Sequence, residues 1–243
     1  MSAPAVAATK PPSTFEDIVD VFYAPTAVFE RRRNAGFGLA MLIYIIISGV
    51  MFYAARPVLR PMFEQQMAKQ VAKIQANPDI SPEQKEAMGA RMRGMVDSPL
   101  ALIGPMVAIP VTLFLAGLAL WICGKVVGSA ASYGQAMMVT TFAFFPRLLV
   151  TVLMTGYAIV TGRELTSQFG LGLNPVALLP EGASGALTAA VSRLDVGVIW
   201  TTVLLGIGIA IVGRIPRSKG MIAAALVWVL GSLLIIGSGA MQG

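Results

Sequence analysis

The order of apolar and charged residues along the chain predicts five membrane-spanning helices. Long runs without Asp, Glu, Lys or Arg alternate with shorter charged stretches. A hydrocarbon core of about 30 Å is crossed by roughly 20 apolar residues in a helix, and the runs reach this length. The spans are predicted at about 35–55, 99–123, 137–161, 196–213 and 221–240. The fold class that this pattern predicts is an all-α polytopic membrane protein, with its membrane domain over residues 35–243.

The third predicted span contains Arg147, the one charge well inside an apolar run, directly after Pro146. A single helix over 137–161 places Arg147 near its middle, and an ionisable residue at such a depth is a candidate functional residue. No Asp or Glu lies inside a predicted span to pair with it. Two interpretations remain open. Arg147 holds the fold by bonding carbonyls that Pro146 frees, or it binds an anionic ligand or lipid headgroup.

The stretch before the first span predicts an amphipathic helical region over residues 13–34, after a disordered tail at 1–12. Ser13 and Glu16 form a capping-box pattern, and apolar residues then recur at helical spacing while three acids fall on the opposite, exposed face. Arg31, Arg32 and Arg33 follow at the membrane edge. The helix either lies in the headgroup plane, with the arginines facing anionic lipid, or packs against the inner loops of the bundle, with the arginines acting only as a topology signal.

Residues 57–97, between the first two spans, predict a helical hairpin. Asn77-Pro78-Asp79 separates two apolar faces, and Ser81-Pro82 is typical of a helix start. The second face carries Met88, Met92 and Met95. Either the two faces pack only on each other, or the methionines leave an adaptable apolar groove that docks a partner.

Composition argues against most hydrolase mechanisms. The chain is 56% hydrophobic and 12% charged, it contains no histidine, and its one cysteine lies in an apolar run. Without histidine, the usual general base and the usual metal ligand are absent. We therefore predict a protein that is not an enzyme, with no catalytic residue and no cofactor, and we expect neither a metal ion nor nucleic acid as a partner.

The distribution of Lys and Arg predicts the orientation. With the first loop between spans left out, one side of the membrane carries eight basic residues and the other carries two. The positive-inside rule then places the N-terminus inside and the C-terminus outside, with the 57–97 hairpin on the extracytoplasmic side.

Three segments resemble the Yip1 family of five-span membrane proteins in its bacterial form. They are Tyr23-Ala24-Pro25-Thr26-Ala27-Val28-Phe29-Glu30, Ser132-Tyr133-Gly134-Gln135-Ala136 leading to Pro146, and Leu194-Asp195-Val196-Gly197-Val198-Ile199-Trp200. The resemblance implies a helical bundle with a cytoplasmic N-terminus and no known enzymatic activity. Eukaryotic relatives bind small GTPases in vesicle trafficking, whereas some bacterial relatives accompany ABC-type exporters.

The function expected from these observations is that of a non-enzymatic membrane adaptor in the bacterial inner membrane. Its partners would be the lipid bilayer and another membrane protein, with ABC exporter subunits suggested by the resemblance. The alternative is a transporter or channel with a midplane site near Pro146 and Arg147, since prolines break helices around such sites.

Overall fold

The computed structural model describes residues 13–97, 103–162, 168–180 and 182–242, and its regular structure is helical throughout these ranges. In chain order the α-helices are α1 (Thr14–Asp20), α2 (Pro25–Arg31), α3 (Gly38–Ala76), α4 (Pro82–Asp97), α5 (Ile103–Val126), α6 (Tyr133–Ala143), α7 (Phe145–Thr161), α8 (Gly185–Ser192), α9 (Val196–Gly213) and α10 (Arg217–Gln242). The predicted all-α fold class is confirmed. The predicted tail at 1–12 lies outside the described residues.

Within the described ranges, five helical segments are long and apolar enough to cross a membrane, which confirms the predicted number of spans. They are Gly38–Ala76, Met106–Val126, Tyr133–Thr161, Val196–Gly213 and Arg217–Ala240. The first is much longer than a bilayer requires, since its 39 residues extend about 58 Å. It therefore joins the first predicted span and the first helix of the predicted hairpin into one continuous helix.

The third span consists of two helices, α6 and α7, which differs from the single helix predicted over 137–161. The break lies at Phe144, which ends α6 and precedes α7. Pro146 explains the break, because it has no N–H to donate to the Phe142 carbonyl and its ring crowds that carbonyl. Residues 141–146 are all buried, so the break lies within the packed interior.

Helix α9 lies at the centre of the bundle and contacts α2, α5, α6, α7 and α10. Glycines allow its neighbours to approach closely. A Cβ atom on Gly220 of α10 would lie 2.7 Å from the Ala210 Cβ of α9 and would crowd the Gly206 carbonyl. On another side of α9, Gly208 faces Val139 of α6 and Phe29 of α2. The last two spans thus form a closely packed antiparallel hairpin around which the other helices gather.

The part of the chain beyond the first span forms what we call the arm, residues 57–97, made of the second half of α3 and α4. Helix α3 ends before Asn77, and α4 begins after Ser81, whose hydroxyl accepts a hydrogen bond from the Gln84 amide at 3.3 Å. Helix α4 packs on α3, and Lys85 Nζ of α4 donates to the Gln75 carbonyl of α3 at 2.8 Å. The arm therefore projects from the bundle as an extension of one helix.

The connection between the third and fourth spans rests on protein. It contains two 3-10 turns, at 168–171 and 175–178, followed by α8. Helix α8 packs against the end of α10, where Gly185 and Gly239 bring the two backbones together. The Val196 amide at the start of α9 donates to the Leu173 carbonyl at 3.1 Å.

Candidate functional site

The first candidate site is the Asp17 cluster, which consists of Asp17, Arg31 and Arg32. The Asp17 side chain is 2% exposed and forms ion pairs with both arginines. Arg31 Nε donates to Asp17 Oδ1 at 3.0 Å, and Arg32 Nε donates to Asp17 Oδ2 at 2.5 Å. Arg32 also donates to the Thr14 hydroxyl at 3.1 Å and lies over the Phe142 ring of α6. The cluster ties α1 to α2 and places a guanidinium against the bundle.

Further contacts hold α2 and the segments on either side of it against α9 and α6. Arg33 Nη2 donates to the Ile211 carbonyl of α9 at 2.9 Å, and the Arg33 carbonyl accepts a hydrogen bond from Gln135 Nε2 of α6 at 3.1 Å. Between α1 and α2, Phe22 meets Trp200 edge to face with ring centroids 5.5 Å apart. The N-terminal region therefore packs on helices of the bundle.

The outer surface of α1 is apolar. Phe15, Val19 and Tyr23 recur at four-residue spacing and are 68%, 48% and 72% exposed. Contact of this surface with lipid, and an electrostatic role for Arg31, Arg32 and Arg33 at the membrane surface, stay predictions. The structure places Arg31 and Arg32 on Asp17 and Arg33 on a backbone carbonyl.

Asp20 adds a second carboxylate beside Arg31, on the exposed side of α1. It accepts hydrogen bonds from the Tyr23 hydroxyl and, at 2.6 Å, from Arg31 Nη2. These two donors lower the pKa of Asp20 below its ordinary value of 3.8. Burial alone would lower the pKa of Arg31, but its hydrogen bonds to Asp17 and Asp20 outweigh burial and raise that pKa.

We expect the lowered pKa of Asp20 to give a small acid-dependent loss of stability. Because folding lowers this pKa, the ionised carboxylate stabilises the folded protein above about pH 4, and the stabilisation is lost as the pH falls through the lowered pKa. Thermal unfolding in detergent, from about pH 6 to about pH 3, should show a steeper decline for the wild type than for Asp20→Asn. If the Tm of the wild type and that of Asp20→Asn fall in parallel with pH, the Asp20 carboxylate does not contribute to stability in this way.

The second candidate site is the Arg147 cluster, which consists of Arg147, Arg193 and Asp195. A Cβ atom built on Gly197 would lie 3.1 Å from the Arg147 Cα and 3.1 Å from Asp195 Oδ1. Gly197 is the second residue of α9, so Arg147 is level with the end of that helix. The 18 residues of α9 extend only about 27 Å, close to the thickness of the hydrocarbon core. In the third span, Tyr133–Thr161, fourteen residues follow Arg147, so its position near the middle of the span stays a prediction.

Asp195 and Arg193 are positioned by the start of α9 and by α10. Asp195 caps α9 by accepting the Val198 amide at Oδ1, 3.1 Å away, and it is 6% exposed. Its other oxygen, Oδ2, is buried without a hydrogen-bond partner among the described residues. Arg193 Nε donates to the Ser232 hydroxyl at 3.0 Å, and its guanidinium lies over the Trp228 ring.

Electrostatic interactions connect the members of the Arg147 cluster. Burial lowers the pKa of Arg193, the positive charge of Arg147 lowers it further, and the Asp195 carboxylate opposes both effects. The Arg147 side chain is exposed, and its charge also acts on Tyr44 of α3. Among the described residues neither guanidinium group hydrogen-bonds Asp195 Oδ2, so the carboxylate acts on Arg193 only through space.

The three methionines predicted to dock a partner lie on α4. Met88 is 43% exposed, and the neighbouring Gly89 is buried. The side chains of Met92 and Met95 lie outside the described part of the structure. Pro146 is buried in the break between α6 and α7 and does not belong to either cluster.

Sequence reasoning missed Asp17 and Asp195. Helical periodicity places Asp17 on the exposed face of its helix, but the turn at Tyr23-Ala24-Pro25 folds α2 back and brings two arginines onto it. Asp195 precedes the fourth span, and nothing local in the sequence connects it with Arg147. Its position one residue before an apolar helix is a recognisable N-cap signal. Among the described residues, no group of three or more His, Cys, Asp or Glu is arranged to hold a metal ion.

The fold and these two clusters define an integral membrane protein with a five-span helical bundle. The chain belongs to the Yip1 domain family, whose model matches residues 19–238. It is 28% identical over 233 residues to "Membrane protein YknW" of Bacillus subtilis (strain 168), a match that covers 91% of this chain and 87% of that protein. No solved structure matches the chain.

Proposed function

We propose that this protein is a non-enzymatic membrane adaptor that binds a partner membrane protein through the arm. The observation that carries the proposal is the arm itself. Its first helix is continuous with the first span, and its second helix packs back on the first and presents an exposed apolar side chain, Met88. Because the first helix of the arm is continuous with the first span, a partner bound to the arm would be held close to the membrane.

The packing of α4 supports a docking role. Gly89 is buried and Lys85 is half-buried, whereas Met88 is exposed. Unbranched thioether side chains adapt to irregular apolar surfaces, and an exposed methionine on a helix is suited to a partner contact. On the first helix of the arm, Met67, Val71 and Ile74 are half-buried, so part of their apolar surface also remains available.

The Yip1 resemblance suggests subunits of an ABC-type exporter as the partner. The proposed location is the bacterial inner membrane, with the N-terminus inside and the arm outside, as the Lys and Arg distribution predicts. In this arrangement the arm meets the extracytoplasmic part of the partner, and the spans meet its membrane part.

We expect Met88→Glu to reduce co-purification of the partner by about tenfold or more, because a charge at the centre of an apolar contact is not compensated. Met88 is exposed, so the variant should retain the wild-type yield and elution volume. Gln70→Glu, at another exposed position of the arm, provides the matched control for added negative charge. Equal recovery of the partner with both variants would contradict docking at Met88.

The transporter or channel alternative is tested separately. The helix break at Phe144 and the nearby Arg147 are the features that favour it. Liposomes that contain only the purified protein should show no solute flux above protein-free liposomes if the protein acts as an adaptor. Flux that requires this protein alone, and that Arg147→Gln abolishes, would replace the adaptor proposal with a transport function.

A further inference from the structure

We propose that the turn between the second and third spans, residues 125–133, together with Arg214, binds the phosphate of an anionic phospholipid. An acyl chain of this lipid would lie along one exposed face of α5. The turn lies at the end of the bundle opposite the arm, so this inference does not depend on the adaptor proposal.

Four span ends come together where this turn lies. The second span ends at Val126 and the third begins at Tyr133, while the fourth ends at Gly213 and the fifth begins at Arg217. The Ala130 amide donates to the Gly213 carbonyl at 3.0 Å, which joins the two connections. Irregular backbone is satisfied at the level of the headgroups, where water is available. Because the helices of four spans all stop here, this end of the bundle meets the headgroup region.

Lys125 and Arg214 place two positive charges on this turn. Lys125 is exposed, and its Nζ donates to the Ser129 carbonyl at 3.2 Å, which leaves two of its three N–H groups for another acceptor. Arg214 is also exposed. It directly follows Gly213, where a Cβ atom would crowd the Ser129 hydroxyl. Ser129 thus contacts one basic residue and the direct neighbour of the other, so a phosphate over the turn would meet two charged donors.

Carboxylates do not compensate these two charges. No Asp or Glu occurs in residues 98–163 or 196–243, which contain the second to fifth spans. Among the described residues, neither Lys125 nor Arg214 pairs with a carboxylate. The buried carboxylate of the N-terminal region already serves the two arginines of the Asp17 cluster. A phosphate would supply the missing negative charge.

One face of α5 leads from this charge into the apolar part of the span. Phe114, Leu118, Trp121 and Lys125 recur at spacings of three and four residues, which places them on one side of the helix. Phe114 and Leu118 are each 40% exposed, and Trp121 is half-buried. Lys125 Nζ lies 5.9 Å from the centre of the Trp121 ring, and the Tyr133 ring lies 6.2 Å from it. Such aromatic rings are favoured at the headgroup level, so charge, aromatic pair and apolar path follow in the order that a phospholipid requires.

Trp121 provides the reporter for the test, because it lies between the charge and the apolar path. In a Trp200→Phe, Trp228→Phe background it is the one remaining tryptophan, and a bound lipid with brominated acyl chains quenches its fluorescence. The protein is reconstituted with brominated phosphatidylglycerol or brominated phosphatidylcholine, each in competition with unbrominated phosphatidylcholine. We expect phosphatidylglycerol to bind more tightly, by about fivefold for each basic residue that the phosphate contacts.

Four variants separate this site from general attraction to a basic surface. Lys125→Gln and Arg214→Gln should each lower the ratio of the two affinities by about fivefold, and Lys125→Arg should retain it. Lys219→Gln is the matched control and should leave the ratio unchanged. It removes an exposed positive charge at the same end of the bundle, but outside the turn and α5. Because all three basic residues are exposed, the variants should keep the parent's elution volume and helical circular dichroism. If Lys125→Gln loses that elution volume, Arg214→Gln decides.

The proposal is overturned if the parent protein binds the two lipids equally well, or if both Lys125→Gln and Arg214→Gln retain the parent's ratio. It is also overturned if Lys219→Gln lowers the ratio as much as they do, because the preference then reflects surface charge alone. Sodium phosphate and sodium chloride at equal ionic strength separate the two sources of the anion. Equal effects of the two salts support the lipid. Loss of the preference in phosphate alone assigns the turn to a soluble anion and overturns the lipid assignment.

Discussion

Asp17→Ala is expected to lower the free energy of unfolding by about 3–5 kcal/mol, because it removes the buried carboxylate shared by two arginines. Arg31 keeps its ion pair with Asp20, but the charge of Arg32 is left uncompensated. The Asp17 side chain is 2% exposed and that of Arg32 is 15% exposed, so water cannot readily replace the lost partner. Helices α1 and α2 should then separate from each other and from α9. Thermal unfolding in detergent and limited proteolysis between α2 and α3 would measure the effect.

Glu30→Ala is the matched control for Asp17→Ala, since Glu30 is an exposed acid on α2 and its loss removes the same charge. It should change the free energy of unfolding by less than about 0.5 kcal/mol. A proteolysis rate and a Tm that are the same for the two variants would show that the Asp17 cluster does not hold the N-terminal region.

Gly208→Val is expected to have the second largest effect, because α9 has no space for a side chain at this position. A Cβ atom there would lie 2.9 Å from one Val139 methyl group, closer still to the other, and 3.2 Å from the Phe29 ring. Overpacking of this kind costs about 1–3 kcal/mol, and here it would force α2 or α6 away from α9. The yield of monodisperse protein and its Tm in detergent should both fall.

Gly156→Val provides the comparison for Gly208→Val. Gly156 lies in α7, and a Cβ atom there would meet nothing within 4 Å. This variant should retain the wild-type Tm, since valine is acceptable on an exposed helix surface in a membrane. Combining Gly208→Val with Phe29→Leu should recover part of the loss, because leucine leaves room beside α9. If Gly208→Val leaves the Tm as high as Gly156→Val does, then α9 is not packed as the structure describes.

The number of spans could be predicted from sequence because it depends on a local quantity, the length of uninterrupted apolar runs. The position of Arg147 beside the start of α9 could not, because it depends on where a different helix begins. Only the contact between Gly197 and Arg147 shows that α9 begins at this level, with a carboxylate beside it.

The Asp17 cluster and the Arg147 cluster could not be predicted from the sequence for a related reason. Helical periodicity assigns a residue to a face of its own helix, but it contains no information on what lies opposite that face. Asp17 and Arg32 are 15 positions apart and meet only because Pro25 starts a second helix after a tight turn. The break in the third span, in contrast, follows from Pro146 alone.

Site-specific crosslinking from the arm tests the central claim most directly. A photo-reactive amino acid is placed at position 88. A second variant of this protein carries it instead at position 234, where Leu234 is exposed on α10. After irradiation of intact membranes, the adaptor account predicts one abundant crosslink from position 88 to a specific membrane protein. Met67→Glu, on the first helix of the arm, should remove this crosslink. Crosslinks from position 88 to lipid or to this chain alone, together with solute flux by the purified protein in liposomes, would contradict the account.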